Sequence, residues 1–255
     1  MDKLEQDARD FMAWVTTPAR HEPRRIAPAL SSALRTDVET ASGRVAAWRL
    51  GEGPAVILAH GWSSDNFSWN HVIAALAARG TAVVAVDLPG HGLSGNAHCT
   101  RRSAGRALVE VAATLGPIRA LAGHSFGGPV VGLALSEGLQ VDRVAFMAPA
   151  QPRSVRWLRF AADKGVAPEI AACALDIAES EGEMFDMSIP GPHMRAHALF
   201  VHSKDDAAVP YQSTQDLNMA WPGSEILLID NLDHEMILQD DIIVNRVADF
   251  LTAEN

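Results

Sequence analysis

The residues Gly123-His124-Ser125-Phe126-Gly127 have the types and spacing of a serine placed to attack a carbonyl. Such a serine sits where the chain leaves a strand and enters a helix within one tight turn. The turn strains the middle residue, so side-chain bulk two positions to either side must vanish. Gly123 and Gly127 meet that demand. The strain lifts the hydroxyl above the sheet, and the helix N-terminus beneath it favours developing negative charge. The flanks agree: an apolar run, IRALA at 118–122, precedes the motif and PVVGLAL at 129–135 follows it.

A serine hydroxyl is a weak nucleophile without an adjacent base. On a strand-turn-helix elbow the partners follow in the order serine, acid, histidine. Four histidines follow Ser125: His193, His197, His202 and His234. The segment HSKDDAAVP at 202–210 puts Asp205 and Asp206 just past an apolar run, and only His234 lies downstream of both. His234 follows the last apolar run in the loop NLDHEM, where the base belongs. The run at 144–148 is followed by PAQP, with no carboxylate to serve as an alternative acid.

These residues need a scaffold. Short apolar runs occur at 45–50, 55–59, 82–86, 118–122, 144–148, 198–202 and 225–229. Helical patterns lie near 70–79, 103–115, 127–138, 211–219 and 240–251. Run-helix alternation predicts an α/β fold, a mostly parallel twisted sheet with helices on both faces. Leu4, Ala8, Phe11 and Val15 predict a helix at the N-terminus, and residues 18–28, with three prolines, read as a connector. The interval of 49 residues between Ala148 and Ala198 breaks the rhythm. It carries two helical patterns, 153–164 and 168–181, and then the loop MFDMSIPGPH. An insertion there, rich in Trp157, Phe160, Met184, Phe185 and Met187, predicts a lid over the sheet edge where ligands bind.

The chain resembles the α/β-hydrolase-fold serine hydrolases, small carboxylesterases among them, over about residues 36–252. HGW at 60–62, DLPGHGLS at 87–94, GHSFGG at 123–128, DDAAVP at 205–210 and His234 carry the resemblance. It implies a single domain over 1–255, with a helical extension over about 1–35. It also implies a small helical lid inserted after the sixth strand, about 150–195. The family's Asp-x-x-Val-Pro pattern at the acid selects Asp206 over Asp205. The backbone N–H groups of Trp62 and Phe126 become the oxyanion donors. Trp157, Met184, Phe185 and Met187 become candidates for an apolar acyl pocket. The implied activity is hydrolysis of a small carboxylic ester with no cofactor and no metal. The same triad could run thioester, amide or carbon–carbon bond hydrolysis, or acyl transfer. A slow-turnover ligand-binding or signalling protein is the rival from outside enzymes. Dehalogenases and epoxide hydrolases of the fold use an aspartate nucleophile, which Ser125 argues against. His193 and His197 are four apart, but Pro190, Pro192 and the run at 198 argue against the helix a metal pair would need.

Composition narrows the partners. The 255 residues carry 21 Lys plus Arg against 31 Asp plus Glu, a net charge of −10. That balance disfavours nucleic acid, anionic membranes and strongly anionic substrates as partners. No apolar run approaches the ~20 residues that span a bilayer, and the N-terminus lacks the basic-then-apolar order of a secretory signal. Two cysteines, Cys99 and Cys173, make no disulfide framework. A cytoplasmic protein, monomer or homodimer, is expected. Arg-rich, Ala-rich usage points to a bacterial source.

Overall fold

In the computed structural model, residues 2–22, 24–150, 152–184, 187 and 195–254 are described. Each of the seven apolar runs forms a strand: β2 Gly43–Leu50, β3 Ala55–Ala59, β4 Ala82–Val86, β5 Ile118–His124, β6 Arg143–Met147, β7 His197–Ser203 and β8 Glu225–Ile229. An eighth, β1 Leu34–Thr40, precedes them. Its sequence, LRTDVET, has no apolar run because only Val38 of the strand is buried. Pairing fixes it instead: β1 and β2 form a hairpin in which Val38 faces Val45 and Thr40 faces Gly43.

The strand order is β1-β2-β4-β3-β5-β6-β7-β8. Pairs involving β1 and β2 are antiparallel, and all others are parallel. Helices α2 Asn70–Ala78, α3 Arg101–Leu115, α4 Gly127–Ser136, α7 Gln212–Ala220 and α8 Asp241–Thr252 cover the two faces. Alternate residues of each central strand feed different cores. Ile57, Leu121, Phe146 and Phe200 pack with Leu108 and Val111 of α3 and Val130 and Val131 of α4. Leu58, Ala122, Met147 and Val201 pack with Ile73 and Leu76 of α2 and Val247 and Leu251 of α8. Strands buried on both sides read as continuous apolar runs for this reason.

The remaining helices stand apart from both cores: α1 Lys3–Val15, α5 Arg153–Asp163 and α6 Pro168–Ser180. The last two are the helices expected after β6. Ala8 and Phe11 of α1 form a third apolar cluster with Trp157 and Ala161 of α5 and Ala171, Ala174 and Ala178 of α6. Phe11 meets Trp157 edge to face, with ring centroids 6.1 Å apart, and Trp14 lies 4.7 Å from Phe160. The alanines of α6 let α1 approach closely. Asp2 caps α1 by accepting from the Glu5 N–H (2.8 Å).

Past α1, the connector straps two loops at the carboxyl ends of the strands. The Ala19 N–H donates to Ser63 Oγ (3.0 Å). Arg20 donates to the carbonyls of Gly90 (2.7 Å) and Asn96 (2.6 Å), and Arg24 to that of Gly92 (2.7 Å). Among the described residues, no helix is long and apolar enough to cross a membrane.

Phe11→Ala should remove an aromatic anchor that joins three helices outside the sheet. We expect a loss of about 3 kcal/mol, read by amide exchange as faster opening of α1, α5 and α6 while β5 and β6 keep their protection. Uniform loss of protection across the sheet would show that the three helices are not a separate unit.

Candidate functional site

β5 ends at His124 and α4 begins at Gly127, so the chain turns within Ser125 and Phe126. Ser125 has φ +50°, a left-handed conformation that costs a non-glycine residue about 1–3 kcal/mol. Neighbours hold it there. The Ser125 N–H donates to the Met147 carbonyl (3.0 Å), and the Ser125 carbonyl accepts from the N–H groups of Gly128 (3.0 Å) and Ala150 (2.9 Å). A Cβ on Gly123 would run into the Gly127 carbonyl, and one on Gly127 into the Ala59 carbonyl of β3. Both glycines are therefore required by close approach.

β7 delivers the acid. Asp206 lies three residues past its end, with its side chain 1% exposed. Its Oδ1 accepts from the N–H groups of Ala208 (2.8 Å) and Val209 (2.9 Å). Its Oδ2 lies 2.6 Å from His234 Nδ1. A carboxylate only accepts, so Nδ1 carries the proton and Nε2 is left free as a base. Asp205 is turned away: it is exposed and accepts from the Asn231 N–H (2.6 Å).

A second histidine shares the same oxygen. His202 is fully buried, and its Nε2 lies 3.1 Å from both Asp206 Oδ2 and the Val209 carbonyl. Both neighbours are acceptors, so Nε2 donates; Nδ1 pairs with the Thr214 hydroxyl (2.5 Å). Burial pushes the Asp206 carboxyl up, but hydrogen bonds from His202, His234 and Val209 outweigh it. The group is held far below the ordinary carboxylate range. Sequence reasoning did not find the roles of His202 and Thr214. A histidine four residues before the acid, inside a buried strand, was the available signal.

The loop after β3 is fixed from beneath. The Leu88 N–H donates to His60 Nε2 (2.9 Å), so Nδ1 is the protonated nitrogen and donates to the Gly61 carbonyl (2.7 Å). Asp87 ties in the neighbouring turns, accepting from the N–H groups of Asn66 (2.8 Å) and Leu93 (2.7 Å). The Trp62 ring stands edge-on to His91 (5.2 Å) and Phe126 (5.0 Å). Among the described residues, no acceptor takes the backbone N–H of Trp62 or of Phe126.

One pocket, of about 270 Å³, contains both Ser125 and His234. Trp62, Ala150, Ala208, Val209 and, from α5, Arg156, Arg159, Phe160 and Asp163 complete its wall. Of the residues expected to form an acyl pocket, the described ones are not among those lining this one. Trp157 faces Phe11 in the third cluster, Met184 is 36% exposed, and Met187 is buried in the core with Phe200 and Trp221. Phe185, His193 and the rest of 188–194 lie outside the described residues. Cys99 is buried. Among the described residues, His124, His234 and Glu235 could each present one metal-ligand atom within 4.8 Å of the others. However, His124 Nε2 donates to the His234 carbonyl (2.9 Å) and His234 Nδ1 to Asp206, so each ring has one nitrogen left.

The match to known proteins spans most of the chain. The family model described as "Alpha/beta hydrolase family" matches residues 56–246. Pimeloyl-[acyl-carrier protein] methyl ester esterase of Aeromonas hydrophila is 35% identical over 127 residues, 49% of this chain and 47% of that protein. Epoxide hydrolase B of Mycobacterium tuberculosis is 37% identical over 84 residues, 31% of this chain and 24% of that protein. The chain thus aligns with about half or less of these relatives' length. An esterase from Pyrococcus furiosus superposes with a TM-score of 0.70 at 19% identity, covering 92% of this chain and 98% of the other.

Burial of neutral histidines makes stability depend on pH. Burial holds His91 down to about 2 and His124 to about 3, against 6.5 for a free side chain, and lowers His60 as well. The unfolded chain takes up these protons first, so the stabilisation is complete above pH 6.5 and is lost as pH falls toward 3. Each group contributes up to about 1.4 kcal/mol per pH unit in that window. The denaturant midpoint should therefore be lower at pH 5 than at pH 7.5, with a shallower dependence in His91→Gln. A midpoint constant from pH 7.5 to 4.5 would refute the assignment.

Proposed function

We propose that this chain, which belongs to the alpha/beta hydrolase family, is a serine hydrolase that cleaves a carboxylic ester. Ser125 attacks the carbonyl carbon. His234 Nε2 takes the hydroxyl proton and passes it to the leaving alcohol, while Asp206 orients the ring and stabilises its charged form. The Trp62 and Phe126 N–H groups receive the oxyanion, each worth about 3–4 kcal/mol of barrier. Water then deacylates the enzyme by the same base. Helices α5 and α6 act as the small lid, within one domain whose N-terminal extension packs on it.

The observation that carries this reading is the 2.6 Å bond from His234 Nδ1 to Asp206 in a pocket shared with Ser125. The two unpaired N–H groups beside the elbow support the oxyanion role. The named activity of the Aeromonas hydrophila relative, a methyl ester esterase, points the same way. The epoxide hydrolase match covers a smaller part of the chain, and the residue at the elbow is serine.

Ser125→Ala should lower turnover of short p-nitrophenyl esters by at least about 10⁴-fold and abolish labelling by a fluorophosphonate. Asp206→Asn should cost about 10⁴-fold in kcat with labelling slowed in parallel, whereas Asp205→Asn should change kcat little. Undiminished turnover in Ser125→Ala would exclude the mechanism.

A further inference from the structure

Two cations face the nucleophile. Arg156 and Arg159, three apart on α5, lie on the same face of that helix and line the pocket that holds Ser125 and His234. The Arg156 guanidinium stacks 4.8 Å from the centre of the Trp62 ring, which fixes one positive charge beside the loop after β3. Arg159 is exposed, and among the described residues no carboxylate or carbonyl takes its donors. Among the described residues of the wall the one acid is Asp163, one turn further along α5. The wall thus holds, among the described residues, two guanidiniums to one carboxylate, on a chain whose net charge is −10. A cleft of one sign against a background of the other concentrates ligands of the opposite charge.

Pocket size limits the ligand. At about 270 Å³, the space is at the small end of the roughly 300–1,000 Å³ usual for ligand sites. A group held by Arg159 is thus within a short chain's length of a carbonyl at Ser125. Guanidinium forks bind carboxylates bidentately. The ionised Asp206 carboxylate behind His234 adds a negative charge next to the pocket, which favours a singly charged ligand over a dianionic phosphate.

We propose that the substrate is a small ester bearing a free carboxylate, such as the half-ester of a dicarboxylic acid. Arg159 and Arg156 bind the carboxylate while the ester carbonyl meets Ser125. This rests on the serine-hydrolase reading above. Water adds across the acyl C–O bond: the acyl carbon gains a hydroxyl, the alcohol leaves with a proton, and nothing is oxidised or reduced. Bulk charge argued against anionic substrates; the local wall argues for one.

Monomethyl adipate and methyl hexanoate differ only in the terminal carboxylate, and their kcat/KM values test the proposal. Wild type should favour the half-ester by about tenfold or more, through KM, with the advantage shrinking in about 0.5 M salt. Arg159→Gln should cut that ratio about tenfold, and Arg159→Glu should turn the preference toward methyl 6-aminohexanoate. In Ser125→Ala, monomethyl adipate should raise the Tm more than methyl hexanoate does, reading carboxylate binding without turnover. Fluorophosphonate labelling reports the hydrolase reading separately. A labelled, active enzyme with a ratio near one defeats the carboxylate site alone, whereas an enzyme that neither labels nor turns over defeats both. Stronger inhibition by poly-glutamate than by adipate would assign the cations to an acidic macromolecule and overturn the small-carboxylate proposal.

Discussion

The left-handed turn at Ser125 exists because the surrounding backbone leaves it no other path. β3 and β6 flank β5, so the Ala59 carbonyl presses on Gly127 from one side and the Met147 carbonyl takes the Ser125 N–H from the other. The same pairing decides what stands beside the serine. Because β3 neighbours β5, the loop carrying Trp62 abuts the elbow, and Gly61 is the residue that allows it. A Cβ there would lie 3.3 Å from the Ser125 Cβ. Asp206 and His234 enter from the loops after β7 and β8, further along the same edge. Strain at one residue is thus carried by the sheet order as a whole.

Around that turn the protein keeps polar groups dry and their protons assigned. His60, His91 and His124 are buried and neutral, each with a ring nitrogen bonded to a backbone carbonyl. They act as fixed dipoles and leave no mobile charge beside the nucleophile. Asp206 is the exception, ionised because two imidazoles and two backbone amides converge on it. Of the two imidazoles only His234, at 16%, reaches solvent. That asymmetry leaves one ring at the solvent and the other sealed against the carboxylate.

The sequence made the central elements legible wherever burial on both faces left a continuous apolar run. AVILA and AVVAV could hardly be anything but interior strands, and the glycines at 123 and 127 announced the elbow. β1 was not legible because its pairing with β2, rather than its own composition, makes it a strand. Trp157, Met184 and Met187 show a different limit. Apolar residues in an insertion pointed to a pocket, but nothing local told which side of α5 would face Ser125. Trp157 turned toward Phe11, 146 positions earlier in the chain, and Arg159 faced the pocket that holds Ser125. Only tertiary packing decides such orientations.

Helix α1 is synthesised before the helices it packs on, and its apolar face meets α5 and α6 only about 150 residues later. At about 5–20 residues per second, Phe11 and Trp14 wait roughly 7–30 s before Trp157 and Phe160 arrive. The central sheet can begin to assemble in that interval, whereas the three-helix layer cannot. The mouth of the site is therefore completed late in synthesis, and until then the nascent chain carries an uncovered hydrophobic helix that a chaperone would recognise.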